Sequence, residues 1–181
     1  MGVEEKKEVD KQRDKENRLA SLYDEYFERI ARYIYVRIGD RDEAEDLAGE
    51  VFVKALESLK SYKERGIRMQ AWLFKIAHNL VVDHLRKATK YKTTFIDTVQ
   101  IEAGEDPATT AEKSIEIERV NEAMQKLTPG QREVVQLRFF GSLSSKEVGA
   151  ILKKSDGAVR EMQRAAIERL RKLLTGGVPD F

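Results

Sequence analysis

Leu143-Ser-Ser-Lys-Glu-Val-Gly-Ala-Ile-Leu-Lys-Lys-Ser-Asp-Gly-Ala-Val-Arg-Glu-Met-Gln-Arg164 decides how this chain is read. Ser144 followed by Glu147 is a capping box, so a short helix starts there. The apolar period breaks at Lys153 and Lys154, and Ser155 or Asp156 caps a longer helix. The inward face of that helix holds Val159, Met162, Ala166, Leu170 and Leu173. Short helix, tight turn and longer helix make a helix-turn-helix. Its first helix braces the DNA backbone, and the start of its second enters the major groove. The outward positions of the second helix are Asp156, Arg160, Gln163 and Arg164. Arginine holds guanine through two hydrogen bonds and glutamine pairs with adenine, so these residue types suit base edges. Lys153, Lys154, Ser155 and Arg169 lie where phosphates would be met and neutralised.

Upstream of this motif the pattern stays helical. Ile117, Val120, Met124 and Leu127 recur at helical steps from a restart near Ala111. Thr128-Pro129-Gly130-Gln131 is a second start signal, with a threonine cap, proline in the first turn and glutamine three after the cap. Gly141 is expected to end that helix. Residues 91–118 lose the period. Thr93–Ile101 is rich in β-branched residues and suits a short strand or, with no partner strand in view, an extended tether. Pro107 and the acidic content favour the tether.

A first helical block covers residues 19–90. Leu19, Leu22, Tyr23, Tyr26, Phe27, Ile30 and Ile34 form one apolar stripe. Gly39 stops that helix, and Asp40 or Asp42 starts the next, whose shared face is Ala44, Leu47, Val51, Ala55, Leu56 and Leu59. Residues 58–69 read as a loop around Gly66. A third helix turns Leu73, Ile76, Ala77, Leu80 and Leu85 inward, and Trp72 and Phe74 are expected in its core. Its polar stripe is Lys75, Asn79, Asp83 and Arg86, with Lys87 beside it, and the loop before it brings Lys60, Tyr62, Lys63 and Arg65. An aromatic ring among cations suits single-stranded nucleic acid, where a base stacks on the ring and the backbone follows positive charge. The bland alternative is a solvated helix face.

Charge sharpens the division. The chain has 181 residues and a net charge of only +1. Yet residues 19–59 hold 5 basic and 10 acidic side chains, residues 60–90 hold 8 and 2, residues 91–118 hold 2 and 7, and residues 119–181 hold 12 and 7. Alternating surfaces of this kind suit a protein that meets both nucleic acid and a basic partner. The first eighteen residues mix charges evenly, without an apolar core, and read as a charged tail rather than a signal peptide or anchor. No apolar run approaches a membrane span. Without cysteine there is no disulfide, thiolate metal site or thiol nucleophile. His78 and His84 are six residues apart, a poor spacing for a shared metal. The expectation is an all-α, cytoplasmic protein of two small helical domains on a flexible acidic linker, with no cofactor, metal or catalytic site. The boundaries are residues 1–18, 19–90, 91–118, 119–175 and 176–181.

Two runs carry a family resemblance. Asp42-Glu-Ala-Glu-Asp-Leu-Ala-Gly-Glu-Val-Phe-Val-Lys-Ala-Leu56 followed by Ala71-Trp-Leu-Phe-Lys-Ile-Ala-His-Asn-Leu-Val-Val-Asp-His-Leu-Arg86 resembles region two of bacterial RNA polymerase sigma factors. Leu127-Thr-Pro-Gly-Gln-Arg-Glu-Val-Val-Gln-Leu-Arg-Phe139 through Arg171 resembles region four. The short spacing is similar to that of the extracytoplasmic-function group of the sigma-70 family. The resemblance implies that Asp42, Glu45, Asp46 and Glu50 dock on the clamp coiled coil of the largest subunit of core RNA polymerase. It implies that Lys54, Tyr62 and Asn79, with Asp83, Arg86 and Lys87 nearby, recognise and melt the minus-ten promoter element. Arg160, Gln163 and Arg164 would read the minus-thirty-five element, while region four also touches the flap of the second-largest subunit. The linker would thread toward the RNA exit path, and an anti-sigma factor is a further implied partner. Gly49, Glu161 and Ala165 depart from residues usual in the family, which bears on promoter choice. The competing reading is a stand-alone helix-turn-helix regulator, which needs a dimer seam that the pattern lacks. A nucleic-acid enzyme would need a nucleophile or metal set, and none is evident.

Overall fold

The computed structural model describes residues 3–64, 66–91 and 111–175. It divides into two compact units, Met1–Thr94 and Phe95–Phe181. Every regular element among the described residues is helical. The strand weighed at 93–101 lies outside them.

Unit 1 packs three helices: α1 (Val3–Ile38), α2 (Arg41–Ser58) and α3 (Met69–Tyr91), with a 3-10 turn over Leu59–Ser61 after α2. Gly39 adopts a left-handed φ of 85°, closes α1 through its N–H to the Tyr35 carbonyl at 2.9 Å, and lets the chain reverse at once. Asp40, not Asp42, is the cap of α2, accepting from the Glu43 N–H at 2.9 Å. Buried Leu19, Leu22, Tyr26, Ile30, Tyr33 and Ile34 on α1 meet Leu73, Phe74, Ala77 and Val81 on α3 and a narrow alanine-rich strip on α2. Ala44, Ala48 and Ala55 let α2 approach closely, so its buried arc ends at Phe52. Leu56, read as inward, falls beyond that arc and is 59% exposed. Tyr23 is likewise exposed, although its ring packs 4.9 Å from that of Phe52.

The larger departure is at the start of the chain. The charged stretch read as a tail is helical from Val3 and continuous with the rest of α1. Two of its cations reach the loop after α2.

Unit 2 contains α4 (Ala111–Gln125), α5 (Pro129–Gly141), α6 (Ser145–Leu152) and α7 (Asp156–Leu174). Thr128–Gln131 and Ser144–Glu147 each form the reciprocal capping box, and Ser155 accepts from the Ala158 N–H at 3.1 Å. Leu127, Val134, Leu137, Leu143, Val148 and Val159 fill the core. Val120, one of the apolar residues at helical steps, is exposed. Arg132 gathers carbonyls at and just after the end of α4, donating to Met124, Gln125 and Leu127 at 3.0, 2.8 and 3.3 Å. The left-handed residue after α5 is Ser142 rather than Gly141. Gly141 is needed small instead, because a Cβ there would lie 2.6 Å from Leu143 Cγ.

Candidate nucleic-acid interface

In unit 2 the turn of the helix-turn-helix is built locally. Lys153 takes a left-handed φ of 54°, and the Lys154 N–H donates to the Gly149 carbonyl at 2.9 Å. Gly149 is obligatory here, since a Cβ would stand 2.6 Å from the Lys154 carbonyl oxygen. Lys153, Lys154 and Ser155 are exposed together on the turn.

The second helix, α7, does not present free cations. Arg160 pairs with Asp156 at 2.6 Å, and Arg164 pairs with Glu161 at 2.6 Å. Hydrogen bonding from Arg164 holds the Glu161 carboxyl below the usual carboxylate range. Asp156, expected to point outward, is half-buried and accepts a short hydrogen bond from the Ser145 hydroxyl, tying α7 to α6. It is a brace as well as the partner of Arg160. Gln163 is half-buried at the rim of a 430 Å³ groove, which is also lined by Val135, Arg138, Phe139, Leu143 and Ile167. Phe139 there is 73% exposed and Ile167 45%. Arg169, expected near phosphate, directs its Nε to the Lys126 carbonyl at 2.9 Å.

In unit 1 the polar stripe of α3 is exposed as the spacing predicts. Lys75, Asn79, Asp83, Arg86 and Lys87 all face solvent. Arg86 pairs with Asp83 at 3.0 Å, whereas Lys75, Asn79 and Lys87 have no partner among the described residues. Lys60 and Lys63 are exposed on the loop, and Lys54 pairs with Glu50 at 3.3 Å. Arg65 lies outside the described residues. Tyr62 is not a loose ring. Its hydroxyl donates to the Ile67 carbonyl at 3.2 Å, and its ring lies 4.7 Å from that of Trp72, tilted by 36°. Burial raises the Tyr62 hydroxyl above its ordinary pKa of 10.0, with Glu64 adding to the rise and Arg18 opposing it. Phe74 is fully buried, but Trp72 is only half-buried. The tryptophan packs against Tyr62 while remaining partly exposed, and is not a core residue.

Sequence reasoning also missed Lys15, Arg18 and Glu64. Lys15 Nζ donates to the carbonyls of Leu59 and Tyr62 at 3.4 and 3.0 Å, and Arg18 pairs with Glu64 at 2.9 Å. No local signal announces contacts between residues 44 to 47 apart.

The acidic set on α2 is exposed: Asp42, Glu45, Asp46 and Glu50. Val53, 56% exposed, and Leu56 continue this surface with apolar groups. Gly49 lies between them, and a Cβ there would meet nothing within 4 Å, so packing within the chain does not require glycine. His78 meets Tyr33 at 3.3 Å and His84 meets Glu43 at 3.3 Å, contacts that join helices. No group of three His, Cys, Asp or Glu among the described residues is arranged to hold a metal. None of the described helices is long and apolar enough to cross a membrane.

One unit carries an exposed helix-turn-helix and the other a cation–amide stripe beside an aromatic loop, and both units match known families. Residues 22–91 match the family model for Sigma-70 region 2, and residues 123–172 that for Sigma-70, region 4. The ECF RNA polymerase sigma factor BldN of Streptomyces coelicolor is 35% identical over 156 residues, covering 84% of this chain and 59% of that protein. The ECF RNA polymerase sigma factor SigD of Mycobacterium tuberculosis is 31% identical over 148 residues, covering 78% of this chain and 70% of SigD. The RNA polymerase sigma factor YlaC of Bacillus subtilis is 29% identical over 160 residues, covering 87% and 92%. Two solved structures share the fold. One is the sigma factor RpoE in complex with the anti-sigma factor NepR from Bartonella quintana (TM-score 0.66, 24% identity, 82% of this chain and 91% of that one). The other is CnrH in complex with the cytosolic domain of CnrY (TM-score 0.58, 23% identity, 90% and 88%). The chain belongs to the ECF RNA polymerase sigma factors of the sigma-70 family.

Proposed function

We propose that this chain is a promoter-specificity subunit without a catalytic site of its own, acting in the cytoplasm on core RNA polymerase. The observation that carries the reading is the pairing, in one ECF-family chain, of an exposed helix-turn-helix with a separate exposed cation–amide stripe. In this reading α2 docks on the polymerase clamp through Asp42, Glu45, Asp46 and Glu50, with Val53 and Leu56 as apolar anchors. Bare backbone at Gly49 lets a partner helix come close, which accounts for a residue that costs α2 about 1 kcal/mol relative to alanine.

Unit 2 takes the minus-thirty-five element. Lys153, Lys154 and Ser155 meet phosphates, while Arg160, Arg164 and Gln163 reach base edges. Exposed ion pairs contribute only about 0–1 kcal/mol, so exchanging Asp156 or Glu161 for a guanine edge or phosphate costs little. The requirement to exchange partners still disfavours sites that offer a poor acceptor. The Phe139–Ile167 groove suits an apolar side chain from the flap of the second-largest subunit.

Unit 1 takes the minus-ten element. Lys54, Lys60, Lys63, Lys75, Arg86 and Lys87 supply positive charge along the bared strand, Asn79 and Asp83 offer hydrogen bonds to an unpaired base, and the Tyr62–Trp72 pair offers a stacking face. Unstacking a base costs a few kcal/mol. Stacking on an aromatic ring returns about 1–3 kcal/mol per base, so capture by unit 1 can sustain opening without hydrolysis. Control by an anti-sigma factor belongs to the same proposal, and NepR occupies that role in the RpoE complex.

Run-off transcription with purified core polymerase tests the reading, with templates that include the region upstream of the chain's own gene. A discrete transcript that depends on the chain is expected. Tight duplex binding by the isolated chain, with no transcript from any template, would favour a stand-alone regulator.

A further inference from the structure

The first half of α1 buries nothing that needs it. Between Val3 and Leu19 no side chain is fully buried among those described, and Val9 is exposed. A charged helix without an apolar face gains little from packing and tends to fray unless something else holds it. Here two cations one turn apart hold it to a single place. Lys15 donates to the carbonyls at both ends of the 3-10 turn, Leu59 and Tyr62, and the Tyr62 N–H to the Leu59 carbonyl at 3.1 Å closes the same turn. Arg18 pairs with Glu64 two residues further on. Among the described residues the loop also has short-range ties: Ser61 Oγ to the Ser58 carbonyl at 2.7 Å and the Tyr62 hydroxyl to the Ile67 carbonyl. Lys15 therefore binds the backbone of the residue whose ring packs against that of Trp72.

We infer that Lys15 and Arg18 are positioning residues for the single-strand site, holding the Leu59–Glu64 turn so that Tyr62 and Trp72 already present their rings when an unstacked base arrives. The inference rests on the promoter-opening reading of unit 1. A loop that must be ordered at the moment of capture binds more weakly by the population of its competent form, so prior ordering strengthens binding without a new contact to DNA. Lysine suits the role because one ammonium has three donors and can satisfy two carbonyls at once. The exposed arginine–glutamate pair adds a second, weaker tie at Glu64.

The chain has a single tryptophan, Trp72, which makes the loop readable without DNA. The double variant Lys15→Met, Arg18→Gln should raise acrylamide quenching of Trp72 about twofold in the free chain. In the assembled holoenzyme it should weaken binding of a single-stranded oligonucleotide, carrying the minus-ten segment from upstream of the chain's own gene, by about tenfold, since only part of the lost loop restraint is felt in binding. Assembly with core polymerase and binding of the minus-thirty-five duplex should be unchanged, and Lys15→Arg should restore most of the loss. Glu64→Gln, which leaves α1 untouched, should give a partial version of both effects and serves if the double variant folds poorly.

Salt separates positioning from direct contact. A positioning role leaves the slope of log K against log salt unchanged. Direct phosphate contact would flatten it by about 0.7 for each lost charge on a single strand, and that result would overturn the inference. Unchanged quenching and unchanged oligonucleotide affinity would overturn it equally. If the parent holoenzyme binds no such oligonucleotide, the promoter-opening reading has failed instead, and the quenching result still decides whether Lys15 and Arg18 order the loop.

Discussion

The turn of the helix-turn-helix in unit 2 and the loop between α2 and α3 in unit 1 each set charged groups toward solvent, yet they are held in opposite ways. The turn is fixed by its neighbours: Ser144 with Glu147, Ser155 with Ala158, Ser145 with Asp156, and Lys154 with Gly149. Arg160 and Arg164 on the following helix are also restrained locally, each by a carboxylate on its own helix. The loop, besides its own short-range bonds, is held by residues 44 to 47 positions away, while cations of the stripe beside it such as Lys75 and Lys87 stay unpaired among the described residues. Local restraint suits a surface that meets regular duplex. Restraint from a distant helix suits a surface that meets a strand with no regular shape, because the support can lie outside the path of the nucleic acid.

The contrast can be broken most forcefully at Gly149. Gly149→Val drives a side chain into the Lys154 carbonyl and should destabilise unit 2 by about 3 kcal/mol. Amide hydrogen exchange should speed up throughout α5–α7 and stay unchanged in α1–α3; equal loss of protection in both units would show that they are not independently held. Ser144→Ala removes one half of a capping box and should cost about 1 kcal/mol. Its signature is faster exchange at the start of α6, and an unchanged rate there would mean that the Glu147 half suffices.

The smallest effect sharpens the electrostatic half of the comparison. Glu161→Gln frees Arg164 and should tighten duplex binding about two- to threefold. The salt dependence should also steepen by roughly 0.9 in log–log slope, one more phosphate neutralised. Weaker binding would mean instead that Glu161 contacts the DNA. Because Glu161 is held below its ordinary pKa of 4.5, the pair is intact above that pH and is lost only as pH falls through the lowered value. Changes near neutrality should leave this restraint on Arg164 untouched, and a shift in duplex affinity between pH 6 and 8 must come from other groups.

What could be read from the amino acids follows the same division. Capping boxes, the proline start of α5 and the helix-turn-helix were legible because their partners lie three to eleven residues apart. Glycines are legible as punctuation but not as space: Gly141 is indeed the last residue of α5, but the left-handed residue after it is Ser142, and what Gly141 itself supplies is room for Leu143. Leu56 was placed inward because its period fits, yet the alanine strip on α2 narrows the buried arc and leaves it out. Trp72 read as core because aromatics at helical spacing usually are, and only the path of the Tyr62 loop shows its half-covered face. Lys15 and Arg18 were illegible in principle, since a charged helix looks the same with or without a distant carbonyl to hold.

The most direct test of the central claim, a division of labour between strand opening and duplex reading, is a permanganate footprint of promoter DNA with core polymerase and the full chain. Thymines in the minus-ten region should react only when both proteins are present. Asn79→Ala should abolish most of that reactivity while upstream duplex protection persists, and Arg160→Ala should lose the upstream protection first. If Asn79→Ala and Arg160→Ala abolish opening and upstream protection together and to the same degree, or if the parent opens no strand at all, the two surfaces do not divide the work as described.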